Sequence, residues 1–330
     1  MEQGSAKAAL AVITDDRFGD SEIERSILAP AGIELAVASC RSSADVAAAG
    51  READALLVNM ARLDSEAIES LSRCRVIARY GVGLDNVDLE AAARRGIVVA
   101  NVPGYCDREV AEHALGLILS CARAIPLRDR AVRAGAWDAA APGRRVAGSI
   151  LGILGFGGTA KALARSALAL GFREILIWSP KISAARIDET LGDAATALGA
   201  IVRPVSFDRV FLDADWVSIH LPLKPETRGI VGARELGLMK RDAALINISR
   251  GALVDEEALV AALSEARLGG AGLDVFTVEP LPQGSRLRSL PGVVLTDHSA
   301  YASRESIADL RRRTAENALK VLRDAGLTRE

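Results

Sequence analysis

The sequence predicts an α/β protein: a doubly wound parallel sheet that carries a glycine-rich turn, and a second, smaller α/β domain. Three observations predict it. Short apolar runs alternate with helix-like stretches along most of the chain, the pattern of parallel strands joined by helical crossovers. One run, residues 151–154, breaks into Gly155-Phe156-Gly157-Gly158-Thr159-Ala160 and continues as the helix-like segment 161–170. The chain has 330 residues, 50% of them hydrophobic, which is enough for roughly two domains with a core each.

Taken in order, the run 8–14 reads as a strand ending in Asp15-Asp16, and 22–28 as a helix before the breaker Pro30-Ala31-Gly32. Runs 33–38, 55–58, 76–78 and 97–100 supply further strands, with helical stretches such as 64–71 between them. Directly after 76–78 comes Arg79-Tyr80-Gly81-Val82-Gly83. This is either an ordinary strand-to-helix turn or a loop whose N–H groups receive an anion such as a carboxylate. Asn101-Val102-Pro103-Gly104 reads as a crossing between domains. Residues 107–124 then form one long helix with Val110, Ala114, Leu117, Ile118 and Cys121 on its apolar face. His113 inside that helix reads as structural, because nothing nearby completes a catalytic or metal set. The stretch 128–148 is poorly patterned and reads as an arm that packs on a second subunit.

From residue 151 the alternation becomes regular, with strands at 151–154, 175–178, 200–205, 216–219, 244–247, 270–276 and 293–295. Helices at 161–170, 234–239 and 256–265 lie between them, so one seven-stranded sheet is expected. The last helix, 305–325, has no strand behind it and is expected to return to the first domain. Its Arg311-Arg312-Arg313 run, with Asp309 and Glu316 nearby, reads as a solvated helix face.

A formal net charge of −2 gives no electrostatic reason to expect nucleic acid or an anionic membrane as partner. Cys40, Cys74, Cys106 and Cys121 have no metal-ligand spacing and no company of histidines, so reduced thiols and no metal site are expected. The N-terminus lacks a signal-peptide pattern, and no apolar run approaches membrane-spanning length. A cytoplasmic protein is the expectation.

The glycines of the 155–160 turn are what a dinucleotide requires. Its pyrophosphate rests on helix N-terminal N–H groups only where no Cβ keeps the backbone away. The polar residues at the strand ends then locate the chemistry. His220 follows 216–219, Ser249-Arg250-Gly251 follows 244–247, Glu279 lies just past 270–276, and His298 lies just past 293–295. All fall on the edge that the glycine turn faces. A guanidinium, a carboxylate and an imidazole at the mouth of a nucleotide site point to proton transfer coupled to hydride transfer. In this scheme His298 exchanges the proton of the substrate oxygen, Glu279 holds the imidazole, and Arg250 clamps a substrate carboxylate. His220 is the rival for the acid-base role.

Residues 80–88, 101–103 and 110–117, the glycine turn, His220-Leu221-Pro222, 247–255, 272–280 and 296–301 together resemble the D-isomer-specific 2-hydroxyacid dehydrogenases. The resemblance runs in order from about residue 54 to about residue 320. It implies a Rossmann cofactor domain at 104–299 and a discontinuous, flavodoxin-like substrate domain at 1–103 and 300–330. It also implies catalytic roles for Arg250, Glu279 and His298. Substrate would be bound by Tyr80, Gly81, Val82 and Gly83 together with Arg250. Cofactor contacts would come from Gly155, Gly157, Gly158, Thr159, Ser179, Leu221, Pro222, Ile248, Ser249, Asp274, His298, Ser299 and Ala300. A homodimer through the cofactor domain is implied as well.

Within the family the chain is most similar to the phosphoglycerate dehydrogenase-like and C-terminal-binding-protein-like branch. An oxidoreductase acting between a nicotinamide cofactor and a small D-2-hydroxyacid or 2-ketoacid is the principal expectation. The alternatives are a dinucleotide-dependent interaction protein with little turnover, and a phosphoglycerate dehydrogenase without a regulatory domain. Phosphoglycerate is the lesser substrate candidate, since the arginine expected near Asn59 is absent and only Arg62 is close. Three departures from the family pattern stand out: Gly158 replaces an arginine, Asp297 replaces the proline before the histidine, and Ser179 replaces the acidic residue that binds the adenosine ribose. NAD is the expected cofactor, with NADP left open by Ser179 and Lys181.

Overall fold

The computed structural model describes residues 8–137 and 143–329. Two compact units divide the chain: Met1–Tyr105 with Ser303–Glu330, and Cys106–Ala302. Both are parallel sheets with helices, the α/β architecture expected from the alternating pattern.

In the first unit the strands are β1 (Leu10–Ile13), β2 (Glu34–Val37), β3 (Ala55–Val58), β4 (Val76–Arg79) and β5 (Val98–Ala100). They pair in parallel in the order β2-β1-β3-β4-β5, the flavodoxin-like arrangement. Every residue of the central strand β3 is buried, as expected for a strand covered on both faces. The C-terminal helix Arg304–Asp324 packs against the helix Glu22–Leu28 and against β3 and β4.

That helix corrects one expectation. Arg312 and Arg313 pair with Asp309 at the surface, but Arg311 is 5% exposed and bonds to Glu24 and Asp20, each at 2.7 Å. Glu24 is itself buried and accepts the Tyr80 hydroxyl at 2.9 Å. The three arginines of the run subtend about 200° of the helix, more than half a turn, and Arg311 falls on the face turned to the core. Buried there, a guanidinium is tolerable only because two carboxylates meet it.

The second unit carries β6 (Ile150–Leu154), β7 (Glu174–Trp178), β8 (Ile201–Pro204), β9 (Trp216–Ile219), β10 (Ala244–Asn247), β11 (Gly270–Leu273) and β12 (Val293–Leu295). Their order is β12-β11-β10-β9-β6-β7-β8, all parallel. Alternate residues of β6 feed opposite layers. Leu151 and Ile153 join Leu117, Ile118, Leu163 and Leu168 of the helices Asp107–Arg123 and Gly158–Ala169 on one face. Ile150 and Leu154 join Val210, Phe211 and Leu245 on the other. The strand order reverses between β6 and β9, and the carboxyl ends at such a reversal are where α/β sheets take their ligands.

Part of the poorly patterned stretch is a helix, Ile125–Arg133. It contains no buried residue, so no inward-facing periodicity marks it in the sequence. The rest of that expected arm includes residues 138–142, which lie outside the described residues. Among the described residues no single helix is long and apolar enough to cross a membrane, and no cluster of His, Cys, Asp and Glu is placed to hold a metal ion.

Candidate active site

β6 runs straight into the glycine turn. Gly155 has φ +102° and donates its N–H to Trp178 O at 2.7 Å. A Cβ at Gly155 would overlap the carbonyl of His220, so glycine is required both for the conformation and for the close approach of the β9 end. Gly157 is the extended N-cap of the helix Gly158–Ala169, which has no side-chain cap bond, and space is open where its Cβ would stand. A buried Leu221 continues from β9, and buried Ile248 with Ser249 continues from β10. Ser249 Oγ donates to Ile219 O at 2.8 Å and ties the two strand ends together. An apolar wall beside a helix N-terminus whose N-cap makes no side-chain bond fits a dinucleotide.

The polar cluster is assembled from three strand ends of the same sheet. Asn247 closes β10 and shapes the next turn: its Nδ2 donates to Arg250 O at 2.8 Å, and its Oδ1 accepts Ser249 N–H at 3.1 Å. Gly251 follows Arg250 and is pressed against the backbone of Phe276 and Thr277, where a Cβ would overlap main-chain atoms. The loop after β11 is thereby fixed to the loop after β10. Phe276 N–H donates to Glu279 Oε1 at 2.9 Å, and Glu279 Oε2 lies 2.6 Å from His298 Nδ1.

Burial works against the charge of Glu279. The bonds from His298 and the Phe276 N–H, with the charges of His298 and Arg250, outweigh it and hold the carboxyl below the usual range. An ionised carboxylate can only accept, so the His298 proton facing it is on Nδ1. Nε2 takes no part in that bond. His298 itself has φ +56°, and its N–H donates to Asp274 O at 2.8 Å.

His220 has a different setting. Its Nε2 pairs with Ser218 Oγ at 2.9 Å, and Nδ1 is buried without a partner among the described residues. Burial pushes its pKa down to about 3, so the ring stays neutral at ordinary pH. Of the two imidazoles, only His298 is joined to a carboxylate.

The glycine loop of the first unit is built with equal care. Gly81 has φ +141°, and Arg79 folds over it with a guanidinium NH donating to Tyr80 O. Gly81 O accepts Val102 N–H at 2.9 Å, and Val82 O accepts Asn101 Nδ2 at 2.7 Å. Tyr80 is buried on Phe18 with ring centroids 5.3 Å apart.

Comparison with known proteins decides what family this arrangement belongs to. The family model for the D-isomer specific 2-hydroxyacid dehydrogenase NAD binding domain matches residues 115–300. The chain is 38% identical over 262 residues to a glyoxylate reductase of Korarchaeum cryptofilum, covering 78% of this chain and 76% of that one. The chain belongs to the D-isomer-specific 2-hydroxyacid dehydrogenases. A D-3-phosphoglycerate dehydrogenase of Synechocystis sp. is 37% identical over 273 residues, which are 82% of this chain and 47% of the relative. A crystal structure of a glyoxylate reductase from Paecilomyes thermophila superposes with a TM-score of 0.84 at 26% identity, covering 97% of each chain.

The dehydrogenase thus transfers a hydride between a nicotinamide cofactor and a small D-2-hydroxyacid or its 2-ketoacid. Two sets of contacts in its NAD binding unit are not legible in the sequence, although Asp274, a residue of one of them, is expected there as a cofactor contact. Asp107, at the start of the helix Asp107–Arg123, leans over Gly158 into the volume a Cβ would take, and its Oδ1 accepts Thr159 Oγ1 at 3.1 Å. The loss of a side chain at Gly158 is what makes room for it. Asp274 is fully buried just past β11, and its carboxylate is taken up by Thr296 Oγ1 and by the N–H groups of Ser299 and Ala300. The expected strand 270–276 stops at Leu273. The signal available was an acid between apolar residues, Leu273-Asp274-Val275, which is costly unless it is bonded.

Proposed function

We propose that the chain works as a 2-ketoacid reductase in which His298, Glu279 and Arg250 carry the chemistry. The observation that supports it best is the 2.6 Å contact between His298 Nδ1 and Glu279, with the Arg250 charge acting on the same carboxylate. When bound, the nicotinamide supplies or receives the hydride. His298 Nε2–H delivers a proton to the carbonyl oxygen as it gains negative charge, and the resulting neutral ring keeps its other proton on Nδ1 towards Glu279. In the reverse direction His298 takes the hydroxyl proton. Arg250 holds the substrate carboxylate and polarises the carbonyl next to it. Within the first unit, the N–H groups of Gly81-Val82-Gly83, with the Arg79 charge beside Gly81, form a carboxylate-binding loop of their own. The discontinuous unit therefore serves substrate and the unit 106–302 serves cofactor.

Glyoxylate and other short 2-ketoacids are the proposed substrates, in line with the glyoxylate reductases among the relatives. For the cofactor, Ser179 stands half-buried at the end of β7 with exposed Lys181 two residues on. Serine does not repel a 2′-phosphate as a carboxylate would. NADH is accordingly used, and NADPH is accepted as well. A homodimer through the cofactor unit is proposed from the apolar side chains that the helix Ile125–Arg133 leaves in water, Ile125, Leu127 and Val132, and from Trp137 at 91% exposure. Four free thiols fit a reducing, cytoplasmic setting.

The test is a panel of glyoxylate, pyruvate, hydroxypyruvate and bulkier or phosphorylated 2-ketoacids, run with NADH and NADPH in parallel. Turnover of a short 2-ketoacid with both cofactors, shifting to NADH alone in Ser179→Asp, is the expected outcome. Cofactor binding with no turnover across the panel would sink the proposal.

A further inference from the structure

Three polar groups that this chemistry leaves unused form a chain that ends at the loop carrying His298. His113, within the helix Asp107–Arg123, has its Nε2 2.9 Å from Thr296 Oγ1. Thr296 Oγ1 donates in turn to Asp274 Oδ1 at 2.6 Å. The Asp274 carboxylate also accepts Ser299 N–H on Oδ1 and Ala300 N–H on Oδ2, both at 3.0 Å, and its main-chain oxygen accepts His298 N–H at 2.8 Å. Three consecutive amides, from His298 to Ala300, are thus fastened to one buried residue.

The proton placement in the chain follows from valence. A hydroxyl has one proton, and a carboxylate that receives it can only accept. Thr296 therefore donates to Asp274 and accepts from His113, which fixes the His113 proton on Nε2. Without that N–H the Thr296 hydroxyl is free to turn, and Asp274 Oδ1 loses the partner that holds it beside the Ser299 N–H.

His298 sits at φ +56°, a left-handed conformation uncommon for a residue with a Cβ. The bonds to Asp274 hold the backbone there. His113 is a polar ring on the face of a helix whose neighbours Val110, Ala114 and Leu117 pack into the core. Its own side chain is 24% exposed, and its Nε2 also lies 3.5 Å from Asp274 Oδ1, so the ring meets the same chain at two points.

We propose that His113 is a positioning residue for the reaction. Through Thr296 it orients the Asp274 carboxylate, and that carboxylate holds His298 in the conformation that meets Glu279. The inference rests on the proposed acid-base role of His298.

The experiment is steady-state reduction of glyoxylate by NADH, with cofactor dissociation constants measured by fluorescence and thermal melts as a check on folding. The variants are His113→Ala, His113→Gln, Thr296→Val, the His113→Ala/Thr296→Val double variant, and His298→Asn. His113→Ala and Thr296→Val are each expected to lower kcat about tenfold, with KM for glyoxylate and the NADH dissociation constant held within about twofold. His113→Gln, whose Nε2–H can reach the hydroxyl, is expected to recover most of the lost rate. The double variant should be no slower than the slower single one, since both changes break the same chain. Wild-type kcat in His113→Ala, no recovery with Gln, or additive losses in the double variant would each overturn the inference. If His298→Asn is inactive while His113→Ala is fully active, only this inference fails. If His298→Asn retains its rate, the acid-base assignment fails first.

Discussion

Gly251→Ala perturbs the cluster without touching any of its charged groups. The added methyl overlaps Phe276 C and O and Thr277 N, all main-chain atoms that no rotamer change can clear. Restoring van der Waals contact requires one of the two loops to move on the order of 1 Å. Phe276 N–H is the donor that holds Glu279 Oε1 at 2.9 Å, and a shift of that size takes the bond past useful length. Glu279 then loses the anchor from which it holds His298. Overpacking of this kind costs about 1–3 kcal/mol, a drop of roughly 2–10 °C in Tm for a unit of this size. A misplacement of about 1 Å at the reacting groups lowers kcat by about 100-fold. The assay is kcat with a 2-ketoacid and NADH, read beside a melt and a cofactor titration. Gly284→Ala, where an added Cβ meets nothing within 4 Å, is the control and should behave as wild type. A Gly251→Ala enzyme that keeps wild-type kcat would refute the claim that this contact couples Arg250 to Glu279.

Two further outcomes follow from the same geometry. Burial holds His220 neutral with a pKa near 3, whereas an unfolded histidine titrates near 6.5, so below pH 6.5 the unfolded chain takes up a proton that the native state does not. Its contribution to stability is therefore complete above pH 6.5 and is lost as the pH falls towards 3. Between pH 8 and pH 4.5 wild type should lose about 2.5 kcal/mol more than His220→Gln in urea unfolding, and parallel pH profiles would count against it. Asp107 places a carboxylate at the helix N-terminus where an anionic dinucleotide would rest. Asp107→Asn should tighten NADH binding about two- to fivefold by calorimetry, and weaker binding would show that the carboxylate helps the cofactor.

How much of this was legible in the sequence depended on where each residue's partners lie. The central strands of both sheets are visible because a buried parallel strand is a short unbroken apolar run, as in 55–58 and 151–154. Arg250, Glu279 and His298 are visible because each falls in the loop that follows a strand, and parallel strands bring their carboxyl ends to one edge. Contacts closed by tertiary packing were not visible. Arg311 looks like a surface charge until Glu24, 287 residues away, is seen beside it. His113 looks structural because Thr296 lies 183 residues away. The helix Ile125–Arg133 was missed for the opposite reason: it buries nothing, so packing imposes no period on it.

The central claim is that His298, held by Glu279, moves the substrate proton. Replacing His298 with Asn removes the titrating ring while leaving the glycine turn and the walls of the cofactor site in place. The rate of NADH oxidation by glyoxylate, measured beside the NADH dissociation constant of the same preparation, tests it most directly. Loss of turnover by a factor of about 100 or more, with cofactor affinity within about threefold of wild type, is the predicted result. A variant that binds NADH normally and still reduces glyoxylate at the wild-type rate would contradict it.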